Sequence, residues 1–420
     1  MPRNTRPHAV TIESIGGQGD GIAAGPDGRY YVPFAAPGDR LEVRPGAARA
    51  DGREARIARI VTPGPDRVSP VCRHFETCGG CALQHLSPGA IAALKRDTVA
   101  KALARRGLRG FELAPTLCIA PGARRRARFV LRRGRRTAFG FRAPRSHSVV
   151  DIAECPAIRP AIAALIAPLR AFSQSIGALG RDAEISVTET DSGLDITFRP
   201  AANDEPTLDD RERLAAFADA HDIARIAWDG GHGAEPLAAR RPPRVVFGSA
   251  SVDLPPDVFL QPSLDGENAI AGPVTKAIGK ATRIADLYAG CGTLTFPLSD
   301  IALVHAYEGS ETMVAAMRCA AAGRRIVAHC RDLARNPLNE TELAAFDALV
   351  FDPPRAGAKS QAAAIARAQA ATVIAVSCNP ATLGRDLRLI VDGGYRLESV
   401  LPIDQFPWSP HIEVVAVLKR

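Results

Sequence analysis

The chain has 420 residues, of which 46% are hydrophobic and 23% charged, the composition of a soluble globular protein with two or three domains. No run of residues approaches the roughly 18 apolar positions of a membrane helix, and the first residues lack the apolar core of a signal peptide. We therefore expect a cytoplasmic protein without a membrane partner, in which nine cysteines favour a metal site or catalysis over disulfides.

The charge is distributed unevenly along the chain. The net charge is +8, and residues 1–252 hold 37 basic and 27 acidic side chains, whereas residues 253–420 hold 16 and 18. A basic first part is typical of a surface that faces nucleic acid, with a catalytic part behind it. The alternative is a GC-rich coding bias, because nearly all of the basic residues are arginine.

Residues 1–64 alternate strand-like segments with glycine turns. The strand-like segments are 11–15, 29–34, 41–44 and 55–61. Short strands at this spacing predict a small β-barrel of the OB type. The pattern also resembles a TRAM domain, which is an RNA-binding barrel. A barrel with a purely structural role is the alternative.

Four cysteines form a pattern in residues 65–252, which we expect to be a central α+β domain. Cys72, Cys78 and Cys81 lie close together in sequence, and Cys155 follows at a distance. Four thiolates can hold either a 4Fe-4S cluster or a zinc ion. Three near cysteines and one distant cysteine favour the cluster, with zinc as the lesser possibility. Unrelated buried cysteines are the third reading.

An arginine-rich hairpin (residues 124–145) lies between these cysteines. It holds ten arginines and three phenylalanines, and we expect it to turn at Gly134. Arginines interleaved with aromatic rings suit phosphate contacts and base stacking. A solvated basic face is the alternative.

Residues 253–420 alternate strands and helices, which predicts a Rossmann-like α/β domain. A buried strand at 283–288 precedes the glycine loop 289–293, and the next strand ends at Glu308. An acidic residue at that distance from a glycine loop can accept hydrogen bonds from ribose hydroxyls. Glycine loop, acidic residue and a later Asp352-Pro353-Pro354 favour a class I S-adenosylmethionine methyltransferase over a dehydrogenase.

Cys378 follows the apolar strand 371–376 and precedes a turn. Open α/β sheets bind their ligands at the carboxyl ends of the strands, so this thiol is a candidate nucleophile. The alternative is a buried cysteine that packs like a small hydrophobic side chain.

Three segments resemble the RNA uracil-C5-methyltransferases. They are Asp352–Arg355, Ser377–Asp386 and His411–Glu413. The resemblance spans nearly the whole chain. The N-terminal barrel and the four cysteines narrow it to the members that act on 23S ribosomal RNA.

The resemblance implies a reaction and its residues. The methyl group of S-adenosylmethionine passes to C5 of a uridine after Cys378 adds to C6, and Glu413 then removes the C5 proton. Asp352 contacts the uracil edge or the cofactor, and Arg385 and His411 steady a phosphate or Glu413. The implied cofactor contacts are Gln261, Tyr288, Thr293, Glu308 and Asp332. Ser263 departs from the usual Asn of the family, and Ala289 and Thr293 vary a loop often written with Cys and Asn.

We therefore expect three domains: a TRAM-like barrel at 1–64, a central domain with an iron-sulfur site at 65–252, and a methyltransferase domain at 253–420. RNA is the expected partner, with 23S rRNA favoured and no obligate protein partner. A transfer-RNA target is one alternative. Another is a non-catalytic RNA-binding or redox-sensing iron-sulfur protein on a methyltransferase fold. An amino-methylating enzyme leaves Cys378 and Glu413 without a role.

Overall fold

A computed structural model describes residues 6–26 and 28–420. Four β-sheets of six, seven, two and nine strands organise this part of the chain. No helix within it is both long and apolar enough to cross a membrane.

The first sheet contains six strands and curls back on itself. Its order is β1-β5-β6-β4-β3-β2, so consecutive strands β1 and β2 form its two edges. Between them, the Ile12 N–H donates to Asp39 O at 2.9 Å and the Glu13 N–H donates to Ile22 O at 2.8 Å, which links one edge to the other. The strands are β1 (His8–Thr11), β2 (Ser14–Ile15), β3 (Gly21–Gly25), β4 (Gly28–Val32), β5 (Arg40–Arg49) and β6 (Gly52–Thr62). Tyr30 lies in its small core. The predicted segments 29–34, 41–44 and 55–61 overlap β4, β5 and β6, whereas 11–15 spans the break between β1 and β2. A TRAM-like barrel and an RNA-binding role stay predictions.

The second sheet forms the centre of the molecule, with the order β11-β10-β9-β12-β13-β14-β15. Its strands are β9 (Arg126–Arg132), β10 (Ala138–Arg142), β11 (Val149–Asp151), β12 (Asp182–Thr190), β13 (Gly193–Pro200), β14 (Ile223–Asp229) and β15 (Ala234–Ala239). The helices here are α2 (Pro160–Ala164), α3 (Ile166–Ser175), a 3-10 turn (Gly177–Leu179) and α4 (Leu208–Ala220). A two-stranded hairpin, β16 (Arg244–Phe247) and β17 (Ala250–Asp253), follows.

The third large sheet has the expected alternation of strands and helices. Its helices are α5 (Leu264–Ile278), α6 (Thr295–Ser299), α7 (Glu311–Ala320), α8 (Glu340–Leu343), α9 (Lys359–Ile365) and α10 (Pro380–Asp392). Its strands are β18 (Arg283–Leu287), β19 (Leu303–Glu308), β20 (Ile326–Cys330), β21 (Ala348–Phe351), β22 (Thr372–Ser377), β23 (Arg396–Asp404) and β24 (Glu413–Lys419). Strands β21 and β22 are buried throughout, as expected of parallel strands covered on both faces.

The order of this sheet is β20-β19-β18-β21-β22-β24-β23. The first five strands are parallel, and β24 runs antiparallel to both of its neighbours. The strand order reverses between β18 and β21, and open sheets bind ligands at the carboxyl ends of the strands at such a point.

One segment lies outside the unit to which its position in the sequence assigns it. Helix α1 (Pro88–Ala104) packs against α10 and β23, and β7 (Glu112–Leu113) and β8 (Leu117–Cys118) pair with β23. Residues 88–118 therefore extend the third large sheet, although we expected them in the central domain. The cause is a set of long-range contacts, which no local sequence pattern reports.

Candidate active site

Cys378 and Glu413 face each other across two antiparallel strands. Ser377 at the end of β22 pairs with Val414 in β24, so Cys378 and Glu413 are the next residues along the two strands. The charge of Glu413 acts on the Cys378 thiol. Helix α10 begins directly after the thiol, and Asn379 caps it by accepting a hydrogen bond from the Ala381 N–H at 3.1 Å. The two residues predicted to be catalytic are thus brought together by strand register.

The three side chains of the acidic triad (Asp352, Cys378 and Glu413) all have a pKa above the ordinary value. Burial, with the charges of Glu413 and Asp352, raises the pKa of Cys378 to about 11, and Arg355 opposes this in part. Burial and then Asp352 raise the pKa of Glu413 to about 8. Burial raises the pKa of Asp352 to about 7. Like charges this close cannot all ionise, so the triad holds protons near neutral pH.

The loop that follows Asp352-Pro353-Pro354 is hydrogen-bonded to α10 and its N-cap. The Asn379 amide donates to Arg355 O at 3.1 Å, and the Ala358 N–H donates to the Asp386 carboxylate at 2.7 Å. Arg385 donates to Ala356 O at 3.0 Å and to Asp386 at 2.8 Å. Arg385 therefore stabilises the loop after Asp352, and its expected contact with substrate phosphate or Glu413 stays a prediction.

The glycine loop after β18 adopts an uncommon backbone conformation. Tyr288, Gly290 and Gly292 all have positive φ, at 65°, 59° and 100°. A Cβ at Gly292 would lie 2.5 Å from the Phe296 ring, so only glycine fits there. For Tyr288 the positive φ is a strained conformation of the kind that clusters at ligand sites.

Glu308 joins this loop to β19. Its carboxylate accepts a hydrogen bond from the Gly290 N–H at 3.0 Å and another from the Ser310 N–H at 2.8 Å. An ionised carboxylate has four acceptor sites, so two stay available for a ligand hydroxyl. The structure thus sets the predicted ribose acceptor beside the glycine loop.

Asp286 is a site residue that the sequence analysis did not single out. It lies fully buried in β18, and the Thr295 hydroxyl donates to its carboxylate at 2.6 Å. Burial, with the charges of Asp352 and Glu308, raises its pKa to about 7. An acidic residue within the apolar segment 284–287 was the signal that could have revealed it. Three carboxyl groups close together suit a cationic ligand such as a sulfonium.

The remaining predicted cofactor contacts differ in their exposure. Burial and then the charges of Asp386 and Asp332 raise the pKa of Tyr288 to about 12, so Tyr288 lies within electrostatic reach of Asp332. Asp332 is exposed and accepts a hydrogen bond from the Ala334 N–H at 2.9 Å. Thr293 is half-buried in the glycine loop.

Gln261 is buried, and its side-chain oxygen accepts a hydrogen bond from the Gln405 amide at 2.9 Å. Ser263 caps α5 by accepting from the Gly266 N–H at 3.0 Å. A cap needs only one short polar side chain, so the departure from Asn is compatible with the local fold.

The four cysteines of the central unit line one cavity of about 540 Å³ together with Arg124. Burial raises the pKa of Cys81 to about 11, and burial raises the pKa of Cys78 and Cys155 as well. Throughout residues 6–26 and 28–420, no three His, Cys, Asp or Glu side chains lie close enough to hold a single metal ion. The four thiols line one cavity and act electrostatically on one another. A 4Fe-4S cluster and a zinc ion both stay predictions for this site.

A second cavity, of about 1060 Å³, leads to Cys378 from outside. It is bounded by α1, by the first sheet at Arg29 and Tyr31, and by His411. The candidate nucleophile is therefore reached through a cleft between the N-terminal unit and the third large sheet.

Most arginines of the arginine-rich hairpin contact the protein itself. The hairpin forms β9 and β10 as expected, but Arg125 pairs with buried Glu267 at 2.5 Å, and Arg126 donates to Leu260 O at 2.9 Å. Arg132 pairs with Asp182, and Arg142 pairs with Glu184. Arg125 and Arg126 connect the second sheet to residues 260–267, and Arg132 and Arg142 stabilise the second sheet itself. These contacts do not support a phosphate-binding role for the four side chains.

Comparison with known proteins agrees with this geometry. The model of the tRNA (uracil-5-)-methyltransferase family matches residues 325–420. An uncharacterized RNA methyltransferase of Brucella suis biovar 1 is 40% identical over 418 residues, covering 98% of this chain and 97% of that protein. The 23S rRNA (uracil(1939)-C(5))-methyltransferase RlmD of Halomonas elongata is 31% identical, covering 98% of this chain and 89% of that protein.

A solved structure has the same fold over nearly all of the chain. The Pyrococcus abyssi tRNA (uracil-54, C5)-methyltransferase, in complex with S-adenosyl-L-homocysteine, superposes with a TM-score of 0.76 at 22% identity. The match covers 98% of this chain and 100% of that one. With relatives above 30% identity along the whole chain, this protein belongs to the family of S-adenosylmethionine-dependent RNA (uracil-C5)-methyltransferases.

Proposed function

We propose that the protein methylates C5 of a uridine in 23S rRNA through a covalent adduct between Cys378 and uracil C6. The observation that carries this proposal is the register of β22 and β24, which makes Cys378 and Glu413 the next residues along the two strands. A nucleophile and a base on opposite strands can act on adjacent carbon atoms of one ring.

The steps follow from the chemistry of uracil. The Cys378 thiolate adds to C6, which makes C5 electron-rich and able to attack an electrophile. When bound, S-adenosylmethionine would supply the methyl group: C5 forms the new C–CH3 bond as the S–CH3 bond breaks, and the sulfonium leaves as a neutral thioether. The Glu413 carboxylate then takes the proton from C5, the C5–C6 double bond re-forms, and Cys378 leaves as a thiolate.

The electrostatics of the acidic triad support these roles. Because the pKa of Glu413 is raised to about 8, its ionised form is a stronger base than an ordinary glutamate. Asp352 is one of the charges that raise the pKa of Cys378, so a cationic ligand beside Asp352 favours the thiolate. Gln261, Tyr288, Thr293, Glu308 and Asp332 are the proposed cofactor contacts.

The proposed RNA target rests on similarity and on the cleft. RlmD of Halomonas elongata, at 31% identity, carries 23S rRNA in its name. The first sheet forms one wall of the cleft at Cys378, which suits a TRAM-like module that holds RNA beside the pocket. A tRNA target is the second candidate, favoured by the family model's description.

We also propose that Cys72, Cys78, Cys81 and Cys155 hold a 4Fe-4S cluster. Anaerobically purified protein should be brown, absorb near 400 nm and contain about four iron and four sulfide per chain. A colourless protein that contains stoichiometric zinc, and no iron, would contradict the proposal.

The test of the reaction compares two cysteine variants. Cys378→Ala should form no 5-methyluridine, whereas Cys319→Ala, which alters an exposed cysteine of α7, should retain the wild-type rate. Mapping 5-methyluridine in total RNA from cells with and without the gene then identifies the target. Wild-type methylation by Cys378→Ala would sink the covalent mechanism, and a lost modification in tRNA would select the second candidate.

A further inference from the structure

Gln405 is a buried amide that links two functional segments. It directly follows β23 and is 2% exposed. Its side-chain nitrogen donates to Gln261 Oε1 at 2.9 Å. Glu413 pairs with Ile403 of β23, two residues before Gln405, and the Gln405 side chain opposes the rise of the pKa of Glu413. Gln405 therefore contacts a proposed cofactor-binding residue and lies beside the proposed base.

The amide group can serve both contacts at once. A glutamine amide has two N–H donors, so one can bind Gln261 and the other can bind the Glu413 carboxylate. Donation to an ionised carboxylate favours its charged form and fixes its orientation.

The side-chain oxygen of Gln405 lies in an unusual environment. Among residues 6–26 and 28–420, Gln405 Oε1 is buried and has no hydrogen-bond partner. A Cβ at Gly266, in the first turn of α5, would lie 2.4 Å from this oxygen. An unpaired buried oxygen costs stability, and such a cost is common where a side chain is retained for function.

We propose that Gln405 is a positioning residue, which holds the Glu413 carboxylate in register with Gln261 for removal of the C5 proton. This inference rests on the proposed covalent mechanism. The charged or titratable groups that act on Glu413 are Asp352 and Cys378, at the ends of β21 and β22. Lys95 of α1 and Asp404 of β23 form a buried ion pair one residue before Gln405.

The test uses Gln405→Met, which retains an unbranched side chain of similar length and removes both N–H donors. Without the donor, Glu413 should hold its proton to higher pH. The limb of the single-turnover rate profile that reports the base should move upward by about one pH unit. Because C6 addition precedes proton removal, the covalent RNA–protein adduct, measured by denaturing electrophoresis, should accumulate several-fold.

A matched control separates positioning from packing. Gln361 is also a buried glutamine, and its side chain hydrogen-bonds the Leu338 backbone at 2.9 and 3.1 Å. Gln361→Met should lower the unfolding temperature while leaving the pH profile and the adduct level unchanged. If Gln405→Met behaves in the same way, Gln405 is only structural and the proposal is wrong.

A second variant keeps the proposal testable if Gln405→Met folds poorly. Gln405→Glu preserves the shape of the side chain, adds a negative charge and should move the same limb further upward than Gln405→Met does. An unmoved limb in this variant also overturns the proposal. Failure of the covalent mechanism is distinguishable, because then Glu413→Gln traps no adduct and Cys378→Ala still methylates.

Discussion

At the scale of single residues, the main feature of the site is a set of buried carboxyl groups. Asp286, Asp352 and Glu413 all have a raised pKa, and the principal cause in each case is burial. The charges of Asp352 also act on Glu413 and Asp286. A site of this kind binds cations well and provides bases that work near neutral pH.

The pH dependence of the reaction follows from Glu413. A protonated carboxyl cannot accept the C5 proton, so the rate of proton removal from C5 should rise about tenfold per pH unit below the pKa and level off above it. With a pKa of about 8, single-turnover rates at pH 6 and pH 7 should fall on this rising limb. A profile already flat at pH 6 would contradict the assignment of Glu413 as the base.

Asp286 should make the unliganded fold less stable as pH rises. The unfolded aspartate ionises near pH 4, whereas the folded one retains its proton to about pH 7. Between these values the folded state binds more protons, so its stability falls by up to about 1.4 kcal/mol per pH unit. Asp286→Asn should remove this contribution and leave those of Asp352 and Glu413, so the loss of stability between pH 5 and pH 7, measured by urea unfolding, should become smaller. Equal pH slopes in the two proteins would refute the prediction.

At the scale of elements, the turn between β23 and β24 leads directly into the proposed base. This turn, residues 405–412, leads into Glu413 and is anchored at its start by the buried Lys95–Asp404 pair. The Lys95 ammonium also donates to Phe406 O at 3.1 Å. Helix α1 thus holds the turn, although α1 precedes it by about 300 residues of sequence.

Breaking this pair should be costly. Lys95→Met leaves the Asp404 carboxylate buried without its ammonium partner, which costs about 3–5 kcal/mol of unfolding free energy. The double variant Lys95→Met with Asp404→Leu removes both charges and should be less destabilised than the single variant. Urea unfolding of both proteins measures the difference. A double variant as unstable as the sum of the single changes would show that the pair is not coupled.

A second prediction at this scale concerns the glycine loop that follows β18. Gly292→Ala introduces a Cβ against the Phe296 ring in a conformation with φ of 100°. The substitution should cost about 1–3 kcal/mol of stability and weaken the binding of S-adenosylmethionine. Gly323→Ala has a similar φ of 74° but no atom within 4 Å of its Cβ, so it is the control for backbone strain alone. Calorimetric affinities of the two variants check this, and equal losses would contradict it.

Across the whole molecule, the cysteine segment and the active site share a wall. The Ala82 and Leu83 N–H groups, directly after Cys81, donate to Trp408 O at 2.8 and 2.9 Å. Trp408 lies in the turn between β23 and β24, and His411 of the same turn lines both cavities. The first sheet, α1 and the third sheet then enclose the cleft that leads to Cys378.

RNA affinity should depend on the cationic side chains of this cleft. Arg105 is exposed at the end of α1 and lines the cleft. Arg105→Ala should weaken RNA binding and reduce the slope of log affinity against log salt by about one. Arg367→Ala, which breaks an exposed pair with Glu340 outside the cleft, should leave both unchanged. Filter binding at several salt concentrations measures this, and equal slopes for wild type and Arg105→Ala would refute it.

The sequence by itself determined the alternation of strands and helices and the glycine loop, and it supplied the candidates for the nucleophile and the base. These features have local signals, because apolar periodicity, glycine turns and short motifs are encoded by neighbouring residues. Cys378 and Glu413 were identified by motif, and the strands around them were found within a few residues of their ends.

Only the tertiary structure decided what these residues contact. The proximity of Cys378 and Glu413 depends on the register of β22 and β24, and the place of residues 88–118 depends on packing against α10 and β23. The raised pKa of Asp286 follows from burial, and the link through Gln405 follows from the meeting of two segments about 140 residues apart. Burial and long-range contacts arise only when distant segments pack together, which is why no local pattern in the sequence could report them.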